Sequence, residues 1–181
     1  MSPARDEPHW IRETLERFER PLLAYAARIL GDLDAARDVV QETFLALCRA
    51  ERSAVEASLA EWLFRVCRNK ALDVKRKERP MKAITETQER EARANVDDPS
   101  ARLETQDSFA HVLETLERLP EKQQEALRLK FQHGLSYKEI ASVTEQSIGN
   151  VGFLIHVGLK ALRERLSNEM GSAPSMEGKA S

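Results

Sequence analysis

The stretch "SLAEWLFRVCRNKALDVKRKERP" (Ser58–Pro80) carries two patterns at once. Ser58 and Glu61 have the Ser-x-x-Glu spacing of a capping box, which predicts a helix starting at Leu59. Leu59, Leu63, Val66, Cys67 and Val74 recur at helical spacing and predict its buried stripe. Arg65, Asn69, Asp73 and Arg76 share the opposite face. Pro80 predicts the end of the helix, or a place just beyond it. Between Arg65 and Lys82 stand eight cations (Arg65, Arg68, Lys70, Lys75, Arg76, Lys77, Arg79, Lys82), opposed only by Asp73 and Glu78. The whole chain has a net charge of −2, so the basic stripe is a local feature. A local field of this kind attracts polyanions even on an acidic protein. Trp62 and Phe64 lie beside it. Aromatics there can stack on unpaired bases, although helical spacing also suits core packing and one of the two is expected to be buried.

Outward from this segment the chain reads as helix. A first helix is predicted over about Ile11–Leu30, stopped by Gly31. Asp32 or Asp34 caps a second, reaching about Ala50, with Ala36, Val40, Phe44 and Leu47 on its inner face. The segment "ERSAVEAS" (51–58) reads as a polar loop. Residues 10–80 thus form a three-helix domain. Residues 81–107 are polar, mostly acidic after Lys82 and without an apolar face, which suits a flexible linker. Residues 108–167 return to helix. Phe109, Val112, Leu113, Leu116 and Leu119 form one stripe, and Pro120 opens the next helix. Ala126, Leu127, Leu129 and Phe131 line that helix, which stops before Gly134. Ser136 and Glu139 make a second capping box before "YKEIASV", and Ser147 caps the last helix, ending near Leu166. Residues 168–181 read as a disordered tail. The predicted fold class is all-α, two small helical domains on a tether.

Composition narrows the function. Apolar residues are 41% and charged ones 32%, the balance of a folded soluble chain rather than a disordered one. No apolar run approaches the roughly 18 residues of a membrane span, and the N-terminus lacks a signal core. A cytoplasmic location follows as the expectation. Cys48 and Cys67 fit no metal spacing and read as reduced, buried thiols. His9, His111, His133 and His156 show no metal spacing either. No phosphate loop or catalytic set is evident, so neither an enzyme nor a bound cofactor is expected.

The segment "SYKEIASVTEQSIGNVGFLIHVGLKALRERL" (136–166) has helix, short turn, helix. Ile140 and Ala141 face inward, then Val151, Ile155, Gly158 and Leu162. This is helix-turn-helix spacing, in which the second helix enters the major groove. With "PLLAYAARILGDLDAARDVVQETFLAL" and "EWLFRVCRNKALDVKRK" before the linker, and "LPEKQQEALRLKFQHGLSYKEIA" and "GNVGFLIHVGLKALRERL" after it, the chain resembles a bacterial extracytoplasmic-function sigma factor. The resemblance covers about Phe18–Leu166. It implies a region-two domain, a region-four helix-turn-helix domain, and action as a monomeric initiation factor on core RNA polymerase and promoter DNA. It also admits an anti-sigma factor as a partner. Asp38, Gln41, Glu42 and Leu45 match the polymerase-docking positions. The segment from Glu51 to Ser58, with Trp62, Arg65, Arg68, Asn69, Asp73, Arg76 and Lys77, matches the reader of the minus-ten element. Tyr137, Lys138, Ser147, Asn150, Phe153, His156 and Lys160 fall where the minus-thirty-five element would be read.

The second half departs from the family pattern. Where the recognition helix usually carries Arg and Lys, this chain has Gly152, Phe153, Leu154 and Val157, with Lys160, Arg163 and Arg165 only later. The turn has Glu145 and Gln146 in place of Gly and an apolar residue. Phe153 and Leu154 could touch thymine methyls, pack on a protein surface (an anti-sigma factor or the first domain), or fill local core. Two other function classes stay open at this level: a stand-alone helix-turn-helix regulator that never meets polymerase, and a pure protein adaptor.

Overall fold

The computed structural model describes residues 7–82 and 103–171, with side chains placed for 9–77 and 110–168. Among these residues there is helix and no strand. The order is α1 (Glu7–Leu30), α2 (Leu33–Leu47), α3 (Arg52–Val55), a 3-10 turn (Glu56–Ser58), α4 (Leu59–Lys82), α5 (Leu103–Glu117), α6 (Glu121–Phe131), α7 (Tyr137–Thr144) and α8 (Ile148–Gly171). They divide into two compact units, Met1–Asp98 with Ala141–Glu145, and Pro99–Ile140 with Gln146–Ser181.

In the first unit α1, α2 and α4 pack pairwise on one another. Pro21 lies inside α1, where it removes one backbone donor, yet the helix continues to Leu30. Burial outweighs that loss: Phe18, Leu22, Tyr25 and Ala26 around the proline are all core residues. Gly31 ends the helix at φ 73, a conformation only glycine adopts without strain. Asp32 caps α2, its carboxylate accepting from the Ala35 N–H at 2.9 Å. The predicted inner face of α2 is buried, with Val39 and Thr43 added to it. Tyr25 meets Phe64 edge to face, with ring centroids 5.3 Å apart.

Several expectations are corrected here. The supposed loop 51–58 is α3 followed by a 3-10 turn, anchored by the buried Val55. Ser58 therefore has helical backbone, and no capping box opens α4; Glu61 instead faces Arg65 at 3.7 Å. The α4 core consists of Leu63, Phe64, Cys67 and Ala71, while Leu59, Val66 and Val74 are only half-buried. Pro80 sits within the last turn of α4 rather than ending it. Cys48 is exposed, just past the end of α2, and only Cys67 is buried.

In the second unit α5 and α6 each pack on α8. Helix α5 starts at Leu103, inside the expected linker, and α8 runs to Gly171, inside the expected tail. Residues 83–102 and 172–181 lie outside the described residues, as do the side chains of Phe109, Arg79 and Lys82. Pro120 is the N-cap of α6, its carbonyl accepting from Gln123 and Gln124. The Gln124 amide reaches back to the carbonyls of Glu117 and Leu119 at 2.9 and 2.7 Å, closing the end of α5. Phe131, expected in the core, is 62% exposed at the last residue of α6, whereas Arg128 is buried. Glu117 lies 3.8 Å from the Arg128 guanidinium, the opposite charge that a buried cation needs. At Gly158 an added Cβ would come within 2.9 Å of Leu127 Cδ1, so this glycine sets how closely α8 approaches α6.

Candidate nucleic-acid interface

Amphipathicity places the basic residues of α4. Once Leu63, Phe64, Cys67 and Ala71 are buried, the helix must turn Asn69, Asp73, Arg76 and Lys77 outward, and all four are exposed. Trp62, Arg65 and Arg68 are half-buried along the same helix, as is Ser58 before it. Phe64 is fully buried, so Trp62 is the aromatic left partly accessible beside the cations. Asp73 accepts from Arg76, and Glu61 lies near Arg65, so acids orient two of the arginines along the face. Such a face offers guanidinium and ammonium groups for phosphates, an Asn amide for a base edge and an indole for stacking.

Helix α2 presents a second face. Asp38, Gln41, Glu42 and Leu45 are spaced i, i+3, i+4 and i+7 and all are exposed, with Leu45 at 48%. Glu42 also accepts from Lys70 of α4 at 2.9 Å, so the two faces share an ion pair. That link joins positions 28 residues apart, which no periodicity reveals. A second long-range link escaped the sequence as well: Arg52 of α3 lies over the Trp10 ring of α1, 5.1 Å from its centroid, while bonding Glu56 at 2.8 Å.

The helix-turn-helix is α7, a short turn and α8. Ser136 and Glu139 form the predicted capping box, the Glu139 N–H donating to Ser136 Oγ at 3.2 Å and the Ser136 N–H to Glu139 Oε2 at 2.7 Å. Ser136 holds the Glu139 carboxyl below its ordinary range, through its side chain first and then its backbone N–H. Ser147 caps α8 by accepting from the Asn150 N–H at 3.1 Å. Between them Glu145 takes φ 56, the left-handed region that a glycine would enter freely. Ile140, Val143, Val151 and Ile155 are buried. Tyr137, Lys138, Ser147, Phe153, His156 and Lys160 are exposed, and Asn150 is half-buried with its amide donating to Gln146 at 2.6 Å. Phe153 is 62% exposed, which removes the local-core reading for it; Leu154 and Val157 are half-buried.

Two families match this arrangement unit by unit: sigma-70 region 2 over residues 14–80 and sigma-70 region 4 over residues 110–162. The ECF RNA polymerase sigma factor EcfG of Rhodopseudomonas palustris is 32% identical over 133 residues, spanning 72% of this chain and 70% of its own. The chain belongs to the extracytoplasmic-function sigma factors. This sigma factor is also 28% identical over 159 residues to the RNA polymerase sigma-H factor of Pseudomonas aeruginosa, covering 83% of this chain and 82% of that one. Among solved structures it is similar to the sigma factor RpoE of Bartonella quintana, determined in complex with the anti-sigma factor NepR. The identity there is 25%, the TM-score 0.63, and the match covers 86% of this chain and 96% of RpoE. The sigma factor thus acts in transcription initiation, in a family of initiation factors rather than enzymes.

Proposed function

We propose that this sigma factor docks on core RNA polymerase through the exposed α2 face and holds the melted minus-ten strand on α4. The single observation that carries the reading is the outward row Asn69, Asp73, Arg76 and Lys77 beside the accessible Trp62, on a helix whose other side is core. Single-stranded DNA binds where cations track the backbone and an aromatic stacks a base. The segment α3 and the 3-10 turn stand next to that row in the chain and supply a rigid edge for an extruded base. Region four reads the minus-thirty-five element through α8. The protein acts in the cytoplasm, as a monomer when free, with no catalytic chemistry or cofactor of its own. An anti-sigma factor fits as a further partner, supported by the NepR complex of the related RpoE.

The test is promoter opening by holoenzyme carrying Arg65→Ala and Arg76→Ala. Assembly with core polymerase should be normal and permanganate reactivity of the minus-ten thymines should fall. Normal opening would make the α4 row a plain solvated surface. Lack of stable binding of the unmodified protein to core polymerase would instead favour a stand-alone regulator.

A further inference from the structure

The first two turns of α8 present an outward face unlike a guanine-reading helix. Ile148 and Phe153 are 52% and 62% exposed, Gly149 is exposed and Gly152 half-exposed. Bidentate reading of guanine needs Arg or Lys, and the chain has neither from Ile148 to Leu159. Further along the same stripe His156 and Lys160 are exposed. The apolar groups therefore sit at the end of the helix that meets base edges, and the cations at the end that meets phosphate. Internal packing does not account for the two glycines. A Cβ at Gly149 would meet nothing within 4 Å, and one at Gly152 only the Tyr137 ring at an ordinary 3.7 Å. Each glycine weakens the helix by roughly 1 kcal/mol relative to alanine. Their yield is a backbone that an outside surface can approach closely.

We propose that α8 reads the minus-thirty-five element through thymine C5-methyl groups, with Phe153 as the specificity-determining residue. The inference rests on the region-four reading above and names the chemistry it uses. Glycines 149 and 152 let the helix sink deep enough for Phe153 to cover a methyl, and Lys138 and Lys160 flank the groove as phosphate contacts. The Asn150 and Gln146 side-chain amides at the start of α8 are bonded to each other, so selectivity at the centre of the contact is apolar.

The test uses holoenzyme and promoter duplexes randomised across the minus-thirty-five element. Selected duplexes should fix thymines at one or more positions. Replacing a contacted thymine by deoxyuridine removes the methyl alone, and should lower affinity by about fourfold, the factor for burying one carbon group. Holoenzyme with Phe153→Ala should bind thymine and deoxyuridine duplexes alike. Equal binding of both duplexes by the unmodified protein, or full methyl sensitivity retained by Phe153→Ala, overturns the proposal while leaving region-four reading intact. Selection that fixes no base in this element, by holoenzyme that still melts the promoter, overturns both and makes the Phe153 face a protein surface.

Discussion

Two residues show how little of a side chain's state its type alone dictates. Cys67 is buried between helices, its thiol near the Leu22 carbonyl at 3.9 Å, and burial pushes its pKa from 9.0 up to about 12. The folded thiol holds its proton more tightly than the unfolded one. Its contribution to stability is therefore complete below about pH 9 and lost as pH climbs toward 12. Cys48 is exposed. Mass spectrometry after brief maleimide treatment of the native protein should find Cys48 modified and Cys67 intact, with Cys67 reacting only in denaturant. A native Cys67 adduct would contradict the burial. Glu145 is the converse case, a side chain on a backbone conformation it disfavours. Glu145→Gly should raise the denaturation midpoint of the protein, worth up to roughly 1 kcal/mol after the added chain entropy of glycine is discounted. An unchanged or lower midpoint would mean that Glu145 makes a compensating interaction.

Among the helices, Gly158 separates packing from propensity. Alanine favours helix over glycine by roughly 1 kcal/mol, but here its methyl would press into Leu127 at 2.9 Å. Overpacking of this kind costs about 1–3 kcal/mol, so Gly158→Ala should destabilise. Gly149→Ala, where nothing stands within 4 Å, should stabilise. Thermal melting of the two variants reads the difference, and stabilisation by both would show that α8 can move off α6. The sequence disclosed most of this level. Apolar periodicity located the helices, and Asp32, Ser136 and Ser147 marked their starts because a short polar side chain before a periodic run has a local job that needs no tertiary partner. It failed where neighbours decide. The stretch 51–58 is polar and reads as loop, yet it is wound, with Val55 buried within it and Arg52 bonded to Glu56 and laid over Trp10. Phe131, expected in the core, is exposed, and Arg128 is buried where an acid on another helix, Glu117, receives it.

For the whole protein, function was legible because two independent half-motifs stood in order, each tied to a helix that periodicity had already found. The candidate residues on α2, α4 and α8 were legible as surface, since a stripe that must be buried names its opposite. Ion pairs across helices were not, because charge on a surface carries no period. Promoter binding by holoenzyme should weaken with salt, by roughly 0.7 log unit per log unit of salt for each single-strand phosphate held. Replacing Arg76 and Lys77 by alanine should reduce that slope by about 1.4 if each holds one phosphate. A slope unmoved by both substitutions would show that α4 touches no phosphate.

The Lys70–Glu42 pair belongs to two surfaces at once. On the proposed reading, polymerase that draws Glu42 to itself leaves an ammonium on α4 in want of an anion, and DNA supplies one. Thermodynamic reciprocity then runs the same exchange backward: a phosphate held by Lys70 releases Glu42 toward polymerase. Both carriers are partly exposed, so the coupling is modest, up to about 1 kcal/mol or fivefold. A substitution at Glu42 is consequently not a clean probe of docking, because it unbinds with one hand and unmasks with the other. Asp38, which shares the α2 face without that tie, is the position at which charge reversal reports on polymerase alone.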